Sequence, residues 1–190
     1  MAEMLEVRWH GRGGQGVKTA SYLVAEAALG LGKYVQAFPE FGPERAGAPV
    51  RAFTRVSDTP IRRHYPIDNP RVVVIVDASL IGQLSLVDGL PEDGIVIVNT
   101  EEEPKEVRKR LGLKGGKVHT VAATKIAMET IKRAIPNTPM LGAFVRLTGL
   151  LELEEVKRDV RNKFAKRFRP EVVEGNIQAL TRAYEEVKSE

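Results

Sequence analysis

Arg12, Gln15 and Lys18 are interleaved with four glycines in the run His10-Gly11-Arg12-Gly13-Gly14-Gln15-Gly16-Val17-Lys18. Residue types in that order have the chemistry of an anion site. Gly11, Gly13 and Gly16 fit the G-x-G-x-x-G spacing, and Gly14 adds a further glycine. A turn without Cβ atoms reaches positive φ and lets a ligand approach the backbone. Its amide N–H groups, with the positive end of a following helix, favour a phosphate. Arg12 and Lys18 would add charge. The competing reading is a turn that only packs a helix closely onto a strand.

The flanking residues supply the elements that such a turn needs. Leu5-Glu6-Val7-Arg8-Trp9 alternates apolar and polar side chains, as a strand does. Val17, Ala20, Leu23, Val24, Ala27, Ala28 and Leu31 recur at helical spacing. The second strand, Lys33–Phe38, ends on Phe38-Pro39 and carries no carboxylate at its tip. A dinucleotide site calls for an acidic residue there, for the ribose hydroxyls. Simple NAD binding is therefore disfavoured.

Phe38 to Pro49 holds three prolines and two glycines and reads as an irregular loop, either functional or a rigid connector. Val50–Val56 alternates strictly, as a half-exposed strand; Ile61–Tyr65 is the expected return strand of an antiparallel hairpin. Arg71–Asp77 and Ile95–Val98 are β-branched runs suited to a buried parallel sheet. Asp77 lies at the tip of the first, where α/β folds place ligand sites, and is expected rather to cap a helix. Helices are expected over Glu101–Leu111 and Ala122–Ile131, with a short strand Lys117–Val121 between them. His119 on that strand reads as a packed or edge residue, and His64 as a surface one. Met140–Gly149 is apolar nearly all round and should be deeply buried or lie in a subunit interface, with Asn137 or Thr138 as its cap. Leu153–Phe168 and Val173–Val187 mark two amphipathic helices. The fold class is α/β: a Rossmann-like three-layer domain with a mostly parallel sheet, an antiparallel hairpin and C-terminal helices, in one domain over 1–190.

Composition narrows the function. The chain has 190 residues, a net charge of +4 and no cysteine. It cannot hold an iron–sulfur cluster on thiolates of its own. Three histidines without metal-ligand spacing argue against structural zinc. Residues 41–65 carry five arginines against two acidic residues, whereas 152–190 are balanced. The basic excess thus lies beside the glycine turn and suits a phosphorylated ligand or an acidic partner. No pattern points to nucleic acid, a membrane span or a signal peptide, so a cytoplasmic location is expected.

Four ordered motifs add a resemblance that spans nearly the whole chain. They are His10–Gly16, Gln36–Pro49 (Gln-Ala-Phe-Pro-Glu-Phe-Gly-Pro-Glu-Arg-Ala-Gly-Ala-Pro), Ala123-Thr124-Lys125-Ile126-Ala127, and Asn137-Thr138-Pro139-Met140-Leu141-Gly142-Ala143. Together they resemble the gamma subunit of 2-oxoacid:ferredoxin oxidoreductases, in the pyruvate and 2-ketoisovalerate branch. The resemblance implies a subunit of a heteromeric enzyme that oxidatively decarboxylates a 2-oxoacid to acyl-CoA and reduces ferredoxin. It implies alpha, beta and delta partner subunits. Thiamine diphosphate, Mg and [4Fe-4S] clusters would be held by those partners only. It gives this chain no catalytic residue and no metal. It implies coenzyme A as co-substrate near Gly11, Arg12, Gly13, Gly14, Gln15, Gly16, Val17 and Lys18, with Arg45 of the proline-rich loop beside them. The isolated chain is expected to be inactive. A purely structural subunit and a free-standing nucleotide-binding oxidoreductase are the alternatives.

Overall fold

The computed structural model describes residues 4–40 and 47–190. Alternating and β-branched runs become the strands β1 (Leu5–Arg12), β2 (Tyr34–Glu40), β3 (Pro49–Ser57), β4 (Val72–Ile75), β5 (Ile95–Asn99), β6 (Lys117–Val121) and β7 (Lys188–Ser189). They join in one sheet of order β2-β3-β1-β4-β5-β6-β7. β1, β2, β4, β5 and β6 run one way; β3 and β7 run the other. The helices are α1 (Val17–Gly30), α2 (Pro104–Leu111), α3 (Ala123–Ile131), α4 (Asn137–Thr148), α5 (Leu153–Phe164) and α6 (Pro170–Glu186). A short 3-10 helix, Ala78–Leu80, follows β4.

The helices divide between the two faces of the sheet, giving three layers. One face is covered by α1, α3, α4, α5 and α6, with Trp9, Val24, Val74, Phe144 and Leu180 fully buried at its core. The other is covered by the 3-10 helix, the segment after it and α2, over Val73, Ile75, Val96 and Val98. Each such side chain contributes about 1.5–3 kcal/mol by leaving water. Polar groups inside the larger layer are paired. The Trp9 indole N–H donates to Thr54 Oγ1 at 3.1 Å, and that hydroxyl donates to the Ser21 carbonyl at 3.1 Å.

The apolar α4 is buried within the chain itself, with Met140, Leu141 and Phe144 fully enclosed. A Cβ on Gly142 would lie 2.1 Å from the Leu180 carbonyl oxygen, so glycine sets how closely α4 and α6 approach. Packing against α6 and α1 uses up the face that a subunit interface would need.

Four expectations are corrected. The antiparallel hairpin is β2 with β3, pairing Phe38 with Phe53, and Ile61–Tyr65 forms no strand. Pro39 lies within β2, where the missing N–H is tolerated because β2 is the sheet edge. The irregular loop is accordingly shorter than Phe38–Pro49, and residues 41–46 fall outside the described set. β3 is not half-exposed: Arg55 is fully buried, its guanidinium donating to Glu6, Gln36 and the Tyr65 carbonyl and stacking near Tyr65. α4 starts at Asn137 with Pro136 at its cap, so Asn137 is inside the helix rather than ahead of it.

Candidate functional site

β1 continues through His10, Gly11 and Arg12, so the turn proper is Gly13–Gly16. Gly11 has an ordinary strand backbone. A Cβ there would lie 2.5 Å from Val17 Cγ2, so this glycine serves packing. Gly14 and Gly16 take positive φ, at 96° and 78°, as a tight entry into α1 requires. The Gly13 amide donates to the Ala48 carbonyl at 2.9 Å and the Gln15 amide to the Arg12 carbonyl at 3.2 Å. The Arg12 amide donates to Gln15 Oε1 at 2.8 Å. The first hydrogen bond that closes α1 runs from Ala20 to Gly16. Among the described residues, the amides of Gly14, Gly16, Val17, Lys18 and Thr19 therefore have no protein acceptor. No side chain caps the helix. These are the donors that an anion would take.

The chain leaves the ends of the neighbouring strands β1 and β4 toward opposite faces, into α1 and into the 3-10 helix. Such a switch point opens a crevice. Here protein side chains bridge it. Gln15 Nε2 donates to Asp77 Oδ2 at 2.6 Å. Asp77 also caps the 3-10 helix, accepting from the Ser79 amide at 2.9 Å. The Arg12 guanidinium donates to Ser79 Oγ and to the Gly47 carbonyl and stands 3.4 Å from Asp77 Oδ2. Burial alone would raise the Asp77 carboxyl. Hydrogen bonds from Ser79 and Gln15, with the Arg12 charge, outweigh it and hold Asp77 below its ordinary value. Arg12 is thus engaged in holding the turn. Lys18 is exposed, with its ammonium 5.5 Å from the Tyr22 ring centroid. The Val17 side chain is core, so only its amide faces the turn. Arg45 lies outside the described residues.

Two cavities of about 340 Å³ flank the turn. One is bordered by Arg12, Lys18, Glu40 and Arg51. The other is bordered by Asn137 and the ends of α5 and α6. Asn137 packs directly on the turn: a Cβ on Gly16 would lie 2.9 Å from Asn137 Nδ2. A third crevice, of about 420 Å³, runs from Gln15 and Asp77 to Asn99, Thr124 and Lys125 at the ends of β5 and β6. Sequence reasoning weighed a ligand site against a capping role for Asp77 and favoured the cap; it did not place Asn137 at the turn. The position of Asp77 at the tip of a buried strand was the available signal for the first. The second had none, since 120 residues of chain lie between Gly16 and Asn137.

His10, beside the turn, is held by its neighbour rather than by a ligand. Its Nε2 accepts from Arg8 Nε–H at 3.1 Å, which places the ring proton on Nδ1. Nδ1 is enclosed without hydrogen-bond geometry to any partner; the Leu86 carbonyl approaches it. Burial, then the Arg8 and Arg51 charges, lower its pKa to about 3. Arg8 donates its remaining N–H groups to the carbonyls of Ile67, Asp68, Leu86 and Asp88. His119 is packed, its Nδ1 2.8 Å from Ser189 Oγ, and His64 is exposed. No helix among the described residues is long and apolar enough to cross a membrane.

Comparison with known proteins places this geometry. The family profile of pyruvate ferredoxin/flavodoxin oxidoreductase matches residues 6–186. The chain is 54% identical over 183 residues to pyruvate synthase subunit PorC of Thermotoga maritima, covering 96% of this chain and 94% of the relative. It is 48% identical over 185 residues to the pyruvate/ketoisovalerate oxidoreductases common subunit gamma of Pyrococcus abyssi, covering 97% and 98%. The crystal structure of pyruvate oxidoreductase subunit PORC from Thermotoga maritima superposes with a TM-score of 0.88 at 50% identity, covering 98% of each chain. A matched profile over almost the whole length, with relatives near half identity, settles the assignment: the chain belongs to the pyruvate ferredoxin/flavodoxin oxidoreductase family, and these relatives are its gamma, or PorC, subunits.

Proposed function

We propose that this chain is the gamma-type subunit, one domain over 1–190, of a cytoplasmic heteromeric pyruvate or 2-ketoisovalerate:ferredoxin oxidoreductase. Its partners are the alpha, beta and delta subunits, and the complex reduces ferredoxin. The chain's own contribution is assembly and the binding of coenzyme A. The observation that carries this is the set of unbonded amides from Gly14 to Thr19 at the start of α1. They open beside a cavity bordered by the charged side chains of Lys18 and Arg51.

Coenzyme A presents a pyrophosphate and a ribose phosphate, and the site's chemistry fits one of these. Backbone amides of Gly14, Gly16, Val17 and Lys18 would hold its oxygens, and Lys18 would supply the charge. Gln15 and Arg12 act on the turn: one fills it and the other ties it to Ser79 and Gly47. Without a cysteine, the chain leaves cluster ligation to its partners. Decarboxylation on thiamine diphosphate belongs to the partners as well. The residues of this chain bind and position; they move no proton.

The test compares intact complexes carrying Lys18→Ala, Arg12→Ala or Gly14→Val. The coenzyme A KM should rise about tenfold for Lys18→Ala, the value of one charge-assisted hydrogen bond. Gly14→Val should raise it further. The 2-oxoacid KM should stay put. An unchanged coenzyme A KM in all three complexes would leave the turn a packing device and the subunit purely structural.

A further inference from the structure

A carboxylate borders the cavity onto which the amides of the turn open. Glu40, the last residue of β2, lines it together with Arg12, Lys18 and Arg51. A negative charge there repels the phosphate that the amides and the three cations attract. Arg51 accounts for its presence. The two residues are register partners across the β2–β3 hairpin. Arg51 Nη2 donates to Glu40 Oε1 at 2.7 Å, and Arg51 Nε stands 2.5 Å from Oε2. The second prong is poor: Oε2 is shut off from water, yet no hydrogen bond of good geometry reaches it.

Glu40 is the one carboxylate that pairs with Arg51 among the described residues. On its other side Arg51 is in register with His10 of β1, which is neutral and adds no hold. The Arg51 and Glu40 side chains are 49% and 38% exposed, and pairs so open to water are weak. Open space lies on both sides of the pair. A larger cavity, of about 540 Å³, lies between the sheet and the segments that carry Asp68 and Ser85, and Glu40, Val50 and Arg51 border both cavities. The guanidinium can therefore turn without displacing a packed side chain. A phosphate offers it the same forked geometry as a carboxylate.

We propose that Arg51 exchanges partners: Glu40 holds it in the free protein, and a phosphate seated at the glycine turn takes it over. Glu40 is a competitor built into the site. It fixes the guanidinium at the rim and holds the affinity down, so that the ligand leaves again. Both residues set affinity and carry out no chemistry. This inference rests on the phosphate-binding role proposed above for the turn.

Inorganic pyrophosphate is the probe, titrated calorimetrically into the full chain, with the coenzyme A KM of the assembled complex measured beside it. Glu40→Gln keeps size and removes the competing charge. It should lower the pyrophosphate Kd and the coenzyme A KM about fivefold, the upper value of a half-exposed ion pair. Arg51→Ala should then cost about tenfold in the Glu40→Gln background, but only about twofold in the wild type, where leaving Glu40 already offsets the gain. Arg51→Lys keeps the charge without the fork and should fall between arginine and alanine. A crystal structure with pyrophosphate bound should show Arg51 on the phosphate and Glu40 released.

The sign of the coupling decides. A static pair predicts the reverse order, because Arg51→Ala would bare a repelling carboxylate in the wild type only. That order, equal losses in the two backgrounds, an intact Arg51–Glu40 pair beside bound pyrophosphate, or no pyrophosphate binding at all each overturn the exchange. If Lys18→Ala raises the coenzyme A KM while the Glu40 and Arg51 effects are merely additive, the coenzyme role stands and the exchange falls. If Lys18→Ala changes nothing, the coenzyme role falls, and the pyrophosphate cycle still decides the exchange.

Discussion

The side-chain amide of Gln15 donates to the Asp77 carboxylate at 2.6 Å, across the gap between β1 and β4. The other end of the same amide accepts from the Arg12 backbone N–H. One neutral side chain therefore joins the glycine turn to the strand beside it, where a free cleft would otherwise open.

That bridge has a direct test in a charge swap. Gln15→Glu removes the donor and sets two carboxylates against each other, costing about 1–3 kcal/mol of stability. Adding Asp77→Asn restores one donor to the pair. The double variant should melt closer to the wild type than Gln15→Glu alone. A coupling energy of about 1 kcal/mol or more from the thermal denaturation cycle would establish the pair as a unit. Additive losses would mean that the turn stands without it.

The second prediction follows from His10, neutral in the fold with a pKa of about 3 against 6.5 in the unfolded chain. Below pH 6.5 the unfolded chain takes a proton that the native protein refuses. Stability from this residue is thus complete above pH 6.5. It falls by about 1.4 kcal/mol per pH unit as pH drops toward 3. His10→Gln cannot titrate and should lose that slope. Denaturant unfolding of both proteins between pH 6.5 and 4.5 compares them; parallel curves would show that His10 charges normally in the fold.

A third prediction concerns the contact of α4 with α6. Gly142→Ala puts a methyl group against the Leu180 carbonyl, where a Cβ has only 2.1 Å. The helices must part, at a cost of about 3 kcal/mol. Gly30→Ala, in the last turn of α1, meets nothing nearer than Asp159 Oδ2 at 3.9 Å. By helix propensity it should be neutral or slightly stabilising. Melting temperatures of the two variants should diverge; a stable Gly142→Ala protein would mean that α4 and α6 have room to adjust.

Local pattern made much of this legible. The β-branched runs Val72–Ile75 and Ile95–Val98 are central strands because nothing else buries them on both faces. Asp77 caps where its position before Ala78 requires. Met140–Val145 is interior as its uniform apolarity demands. What escaped the sequence is set by distance along the chain. Arg55 reads as an exposed strand residue until Glu6, Gln36 and Tyr65 close around it. Pro39 reads as a breaker until β2 proves to be an edge. The two-residue β7 carries no pattern of its own; it forms because β6 offers a free edge at His119 and Thr120. At the turn, four glycines read as an anion site, a reading carried by the proposal above, but the engagement of Arg12 with Ser79 and Gly47 is a tertiary fact.

Arg8 gives the last consequence. Its five N–H donors meet five acceptors: His10 and the carbonyls of Ile67, Asp68, Leu86 and Asp88. Two stretches of irregular backbone, one before β4 and one after it, thereby share a single cationic hub. Calcium does the same for loops in other proteins, gathering carbonyl oxygens around one charge. Here the ion is tethered by its own side chain. It has no dissociation constant, no dependence on supply and no vulnerability to a chelator. Lysine, with three donors, would leave two of those five acceptors bare.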